Sequence, residues 1–240
     1  MKRKKSCMAA PLTVRNDVRT CLRDYFSRFL KPDMKVYDVG CGDKPFQKFL
    51  DGKVESYIGV DVADGFYDAS HIDLIGSAYA VPAPDGAADA VISSQVLEHL
   101  ERPEDALKES SRLIRPGSFL FISFPFLYPI HAPPHDYLRY TRYYFDALLE
   151  RRGFAIVERK TIGGFWYCCG AFSGLYLQSF DRGLLKKTGL VRGLIFLLKC
   201  LFYAIHSLEG TALEISGRNK DDFRLPWAVN YVYAARRKEK

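Results

Sequence analysis

The feature that most limits this chain is a strand–helix rhythm of about 125 residues that opens on a glycine turn. Apolar runs of strand length occur at Met34–Val39, Tyr57–Val62, His71–Leu74, Ala87–Ser94, Ser118–Phe124 and Phe154–Lys160, with a seventh at Asn230–Arg236. Between them fall helical patterns at Pro45–Leu50, at Thr141–Arg152, and from Pro103 to about Ile114, where Pro116-Gly117 reads as the stop. Pro103 suits a first helical position, Glu104 and Asp105 suit the positive end of the helix dipole, and Thr141 suits an N-cap. Strands alternating with helices in this way predict an open, doubly wound α/β sheet covered on both faces. Val14–Leu30 adds an amphipathic helix in front, with Val18, Leu22, Tyr25, Phe26 and Phe29 at helical spacing.

Composition narrows the class. The 240 residues are 48% hydrophobic and 26% charged, which excludes disorder, collagen and coiled coil. The formal charge is +7, and residues 1–31 carry all of it, with nine Lys or Arg against two Asp. A basic N-terminal arm with a balanced remainder argues against a nucleic-acid groove. Cys7, Cys21, Cys41, Cys168, Cys169 and Cys200 have no paired spacing and read as reduced thiols of a cytoplasmic protein. The apolar run Cys7–Leu12 is too short for a secretory signal.

Chemistry concentrates first at Val36-Tyr37-Asp38-Val39-Gly40-Cys41-Gly42. Gly40 and Gly42 let the backbone turn sharply and approach a ligand, at the first strand–helix turn of the sheet, where such folds bind cofactors. Asp61 closes the second strand nineteen residues after Gly42, and an acid there can accept both hydroxyls of a ribose. Each feature alone is also what a tight turn or a loop cap looks like. Together they favour a nucleoside.

These residues, with Asp89-Ala90-Val91-Ile92-Ser93-Ser94-Gln95-Val96-Leu97-Glu98-His99-Leu100, resemble the class I S-adenosylmethionine-dependent methyltransferases. The likeness runs through Val36–Phe46, Tyr57–Val62, Asp73–Pro84, Ala88–Leu100 and Leu113–Phe124. It implies a Rossmann-like seven-stranded sheet and S-adenosylmethionine as methyl donor, with no metal. By that resemblance Asp38, Gly40 and Gly42 line the methionine part, and Asp61 holds the ribose. Ser94 and Gln95 lie beside the methionine and sulfonium, with His99 near them. Ser77 and Ala78 stand at the adenine, where relatives carry an aspartate, and Lys44 replaces a third glycine.

A second block, Phe124-Pro125-Phe126-Leu127-Tyr128-Pro129-Ile130-His131-Ala132-Pro133-Pro134-His135-Asp136-Tyr137-Leu138-Arg139-Tyr140-Thr141, opens on the carboxyl edge of the sheet. Its prolines stiffen it as a pocket wall. An alcohol acceptor must lose a proton, which makes His135 the first base, Asp136 its orienter and His131 the second base. Arg139 suits an anionic substrate group, with Tyr137 and Tyr140 beside it. Equally, Asp136 and Arg139 can pair to fix the loop while Tyr137 and Tyr140 pack beneath it. The His-Asp-Tyr-x-Arg-Tyr-Thr run resembles methyltransferases of glycan and cell-surface polysaccharide assembly. Motifs for base-amino or cytosine C5 methylation are absent from the sequence.

These readings divide the chain into 1–31 (basic arm and helix), 32–161 (cofactor core), 162–225 (apolar helical insertion) and 226–240 (final strand and basic tail). Thr161–Phe180 holds twenty residues without a charge, Cys168-Cys169 reads as packing, and Leu190–Leu208 is a second apolar run broken by Arg192 and Lys199. The insertion is read as a lid, as a peripheral membrane contact together with the basic arm, or as a homodimer surface. The favoured function is O-methylation of a sugar, glycan or lipid-linked precursor. Methylation of a small aromatic or isoprenoid molecule, and a non-catalytic scaffold, stay open beside it.

Overall fold

A computed structural model describes residues 12–63, 69–181, 186 and 188–239. Lys2, Arg3, Lys4 and Lys5 of the basic arm, Cys7, and Lys187 lie outside the described residues. Seven strands form one mixed sheet in the order β3-β2-β1-β4-β5-β7-β6. They are β1 Lys35–Val39, β2 Ser56–Asp61, β3 Leu74–Ile75, β4 Ala88–Ser94, β5 Ile114–Pro125, β6 Phe154–Gly163 and β7 Ala228–Arg237. β1 pairs in parallel with both β2 and β4, and β4 with β5, so the chain order reverses direction between β1 and β4. That is the point where an open α/β sheet leaves a crevice at its carboxyl ends. β7 runs against its neighbours: Arg237 at its end bonds the Ile114 carbonyl at the start of β5, and Lys238 N–H donates to the Gly153 carbonyl just before β6.

Helices α1 (Leu12–Phe29), α2 (Gln47–Leu50), α3 (Pro103–Leu113) and α4 (Arg142–Arg151) accompany the sheet. Tyr25 and Phe26 of α1 are buried among Phe46 and Phe121, with ring centres 5.2 Å apart for Phe26–Phe46 and Phe26–Phe121. Phe124, Phe145 and Tyr233 fill another cluster, at 4.3 Å for Phe124–Phe145 and 5.1 Å for Phe145–Tyr233. Aromatic pairs at these separations add to the burial that holds the layers together. Thr141 caps α4 by accepting from Tyr144 N–H at 3.4 Å, as the sequence predicts.

Several boundaries differ from the expectation: β6 runs on to Gly163 instead of ending at Lys160, α2 starts at Gln47 instead of Pro45, and three others shape the sheet. Pro116-Gly117 ends no helix: α3 stops at Leu113 and β5 starts at once, with these residues inside it. The β4–β5 register jumps between Ala88↔Ile114 and Ala90↔Phe119, so the segment bulges. Gly117 adopts φ +81° there, a conformation glycine takes without steric cost. The third strand lies later than His71–Leu74, because Ala69–His71 forms a 3-10 turn and Asp73 is tied to Gly59 by two hydrogen bonds. The seventh starts at Ala228, two residues ahead of Asn230.

The chain forms two compact units. One comprises residues 20–126, 132–160 and 231–240, which is the sheet with its helices. The other holds α1 up to Arg19, residues 127–131 and residues 161–230. Its main feature is a pair of packed helices, α5 (Phe165–Gln178) and α6 (Leu190–Ile215), followed by the short α7 (Lys220–Arg224). The pair closes on small residues: a Cβ added at Gly170 would come within 2.9 Å of Phe202, and one at Gly174 within 3.1 Å of Lys199. Tyr167 donates to Asp17 at 2.7 Å, and the buried Cys168 thiol bonds the Trp227 carbonyl at 3.3 Å, so Cys168 packs as expected.

Candidate active site

β1 ends in a cradle made of backbone. Gly40 and Cys41 N–H both donate to the Val60 carbonyl, at 2.8 and 3.2 Å, which folds the turn against β2. Gly40 sits at φ +79° and Gly42 at φ +50°. A Cβ on Gly40 would lie 2.4 Å from Val96, so no side chain fits there. Lys44, standing where a third glycine was expected, also adopts positive φ, at +46°. Its ammonium compensates by pairing with Asp73 at 2.6 Å and lying over the Tyr57 ring. Burial tends to raise the Asp73 carboxyl, but Lys44 and the Gly59 N–H hold it below the ordinary value.

Asp61 stands at the end of β2 and reaches back to this turn. Its carboxylate accepts from Gly42 N–H at 2.7 Å and from its neighbour Val62 N–H at 2.8 Å. One hydrogen bond thus joins the glycine turn to the strand-end acid, and the remaining lone pairs suit ribose hydroxyls. Asp38 is buried beneath the turn and accepts from the Tyr57 hydroxyl. Burial, helped by the charge of Asp61, pushes its carboxyl up to about 7. Ser77 and Ala78 lie in the turn after β3, where Ser77 Oγ accepts from Tyr79 N–H at 3.2 Å and the Ser77 carbonyl from Ala80 N–H at 3.0 Å.

β4 and β5 end in a hydroxyl–amide cluster. Ser94 Oγ lies 3.0 Å from Ser123 Oγ, and Gln95 donates to Ser123 from both its backbone, at 2.9 Å, and its side chain, at 3.2 Å. Gln95 holds φ +60°, a strained setting for a residue with a side chain. Ser123 was absent from the sequence reading. Its signal is a serine inside the apolar run Phe119–Phe124, opposite Ser94 in register.

The loop that follows β5 is stitched to the β4 motif across 36 residues of sequence. His99 Nδ1 donates to the His135 carbonyl at 2.6 Å, and Tyr137 N–H donates to the Glu98 carbonyl at 2.8 Å. The Tyr137 hydroxyl donates to Glu101 at 3.1 Å, so it accepts from His135 Nδ1–H at 3.1 Å. That chain makes Nε2 the basic nitrogen of His135. Glu98 is buried, and burial pushes its carboxyl up to about 8 against the pull of Arg139.

The expected roles within this loop are redistributed. Asp136 holds the Arg139 guanidinium by two bonds, at 2.5 and 2.9 Å, so Tyr137 rather than Asp136 is bonded to His135 Nδ1. Arg139 is committed to that pair and to the Leu138 carbonyl. Tyr140 is 7% exposed, set edge-on to Phe124 and stacked on Tyr144, which is packing rather than substrate contact. Tyr137 is exposed. His131 belongs to the other unit, where its Nδ1 lies 3.3 Å from the Pro129 carbonyl and its ring stands against Tyr128.

Residues 37–122 match the family model described as a methyltransferase domain. An uncharacterised methyltransferase of Schizosaccharomyces pombe is 30% identical over 118 residues, covering 40% of this chain and 41% of that protein. The malonyl-[acyl-carrier protein] O-methyltransferase of Serratia marcescens is 32% identical over 98 residues, 38% of each chain. The chain thus spans about two fifths of these relatives. A crystal structure of a putative methyltransferase from Bacillus halodurans superposes at TM-score 0.53 and 14% identity, over 93% of this chain and 100% of that one, which shows the fold. Residues 37–122 are therefore similar to a methyltransferase domain, on a sheet of the class I methyltransferase fold, whose cofactor is S-adenosylmethionine. The residues fit that cofactor, since a Cβ would fill the Gly40 cradle and Asp61 presents its carboxylate beside it.

Proposed function

We propose that this protein is an S-adenosylmethionine-dependent O-methyltransferase acting on a hydroxyl of a sugar, glycan or lipid-linked precursor. The hydrogen bond from Gly42 N–H to Asp61 carries the cofactor half of this reading, because it sets a cradle and a ribose acceptor side by side. The chain from His135 through Tyr137 to Glu101 carries the oxygen-acceptor half. The Serratia marcescens relative, itself an O-methyltransferase, supports oxygen as the acceptor atom. The resemblance of the His135–Thr141 run supports the glycan class. Free thiols at Cys21, Cys41, Cys168, Cys169 and Cys200 support a cytoplasmic setting.

S-adenosylmethionine, when bound, supplies an electrophilic methyl carbon. The protein's part is alignment and proton removal. Asp61 receives the ribose hydroxyls, Asp38, Gly40 and Gly42 line the methionine portion, and Ser77 and Ala78 face the adenine. Ser94 and Gln95, fixed by Ser123, form the floor at the sulfonium. Holding two reactants in line contributes on the order of 7–11 kcal/mol in favourable cases. His135 Nε2 takes the proton of an acceptor hydroxyl held against it. Tyr137, anchored on Glu101, keeps the His135 ring in the tautomer that leaves Nε2 basic and steadies the imidazolium that results.

The test is calorimetric binding of S-adenosylhomocysteine to wild type and Asp61→Ala, followed by methyl-label transfer into candidate acceptors. Micromolar binding lost in Asp61→Ala, with label entering glycan or lipid-linked sugar, is the expected result. Absence of binding to folded wild type overturns the enzyme reading. Label entering only organic-soluble aromatic or prenyl species overturns the acceptor class.

A further inference from the structure

Helix α6 is built inside out for a helix exposed to water. In its middle stretch the ionisable residues turn inward: Lys199 lies against Gly174, and His206 and Glu209 are largely covered. Arg224 from α7 comes within 3.7 Å of Glu209. Its outward face is apolar, with Phe196 66%, Leu197 65% and Leu208 70% exposed, and Leu194, Leu201 and Tyr203 beside them. A soluble amphipathic helix does the opposite. Between Gly193 and Ser207 no exposed residue of α6 carries a charge. An uncharged face of this length, about 20 Å at 1.5 Å per residue, marks an interaction surface.

Charge at one end of the helix says what covers it. An open cleft of about 500 Å³ is lined by Gln178, Asp181, Lys186, Arg192, Phe196 and Lys199; Arg192 pairs with Asp181 at 3.1 Å, and Lys186 and Lys199 leave the cleft a net positive charge. Phe196 belongs both to this cleft and to the apolar face. At the other end of α6, Arg218 is exposed, while the half-buried Lys220 pairs with Glu214. Apolar surface bordered by cations matches a bilayer bearing anionic headgroups.

We propose that α6 docks in the plane of an anionic phospholipid surface, its outward face at the headgroup–acyl boundary and a lipid phosphate in the Lys186–Arg192–Lys199 cleft. Length and composition would let α6 span a bilayer. Spanning would also carry Lys199, His206 and Glu209 into hydrocarbon, at a cost that lying in the plane avoids. The packed partner α5 has 14 residues, about 21 Å, short of the ~30 Å hydrocarbon core. This inference stands apart from the methyl-transfer reading.

The experiment is co-sedimentation of the full chain with vesicles of phosphatidylcholine alone and of phosphatidylcholine with phosphatidylglycerol. Binding to the anionic vesicles, weakened by high salt, is expected. Phe196→Ser/Leu197→Ser/Leu201→Ser should lower partitioning at least about tenfold with unchanged Tm, since these positions are exposed. Arg192→Gln should lower it about fivefold on anionic vesicles alone. Failure to bind either vesicle overturns the proposal. So does equal binding to both vesicle types. A lipid-free dimer by light scattering that the triple serine variant converts to monomer assigns the face to a second copy instead.

Discussion

The two halves of the candidate site are made from different material. Around Gly40, Gly42 and Asp61 the geometry comes from backbone: carbonyls and amides of β1 and β2, with positive φ at both glycines and one short bond from Gly42 to Asp61. Around His135 it comes from side chains, with His99, Tyr137, Glu101 and the Asp136–Arg139 pair holding a proline-rich loop. A backbone cradle tolerates few residue types, because sterics exclude the rest. A side-chain scaffold tolerates many, and its failures fall on rate rather than on folding.

The largest effect should therefore come from the second half and leave the first untouched. His135→Ala is expected to lower kcat by about 10²–10⁴-fold, the usual share of a general base, with S-adenosylhomocysteine affinity unchanged. Wild-type turnover in His135→Ala on an identified acceptor would remove the base assignment. Next comes Gly40→Ala, which must place a methyl 2.4 Å from Val96 at φ +79°. Overpacking and the left-handed setting together cost about 2–4 kcal/mol. Both Tm and cofactor affinity should fall, and Gly40→Ala/Val96→Ala should recover only the steric part. A Gly40→Ala protein that binds S-adenosylhomocysteine normally would show the cradle to be dispensable. Tyr137→Phe is smaller again: it removes the hydroxyl between His135 and Glu101, so kcat should drop about tenfold, in line with ~1.5 kcal/mol for such a bond. If Tyr137 only stiffens the loop, KM rather than kcat should move, and the acid limb of the pH–rate profile should stay in place.

The same contrast explains what the sequence revealed. Gly40, Gly42, Asp61 and the parallel strands were legible because each depends on a short-range rule, a turn that needs glycine or an acid at a strand end. The β5 bulge was not, since Pro116-Gly117 obeys the rule for a helix stop and only pairing with β4 shows that the strand continues through it. The partner of His135 was hidden for a related reason. Asp136 is adjacent in sequence, yet Arg139 three residues on satisfies it, and Glu101 reaches Tyr137 only after folding. Ser123 was concealed inside an apolar run. The outward apolar face of α6 was present in composition, but its inversion depends on which side Lys199, His206 and Glu209 take.

The smallest effect concerns one carboxyl in each half. Burial holds Glu98, beneath the loop, at about 8 and Asp38, beneath the glycine turn, at about 7, against ordinary values of 4.5 and 3.8. Both shifts are upward, so folding favours the protonated form of each. The stability this gives is fully present below the unfolded values and is lost as pH rises through the folded ones. Tm should therefore decline between about pH 4 and pH 8, with both carboxyls contributing below pH 7 and Glu98 alone governing an upper step from about pH 7 to pH 8. Glu98→Gln should make the whole decline shallower and remove the upper step, and Asp38→Asn should make only the part below pH 7 shallower, each by several degrees, given roughly 2–4 °C per kcal/mol in a chain of this size. Calorimetric scans across that range decide the matter. An upper step that survives Glu98→Gln would mean that Glu98 is already ionised at neutral pH and that the 98–101 turn carries a negative charge next to the Asp136–Arg139 pair. The His135 loop would then rest on a charge network. A step that disappears leaves it resting on a neutral acid, as the burial of Glu98 requires.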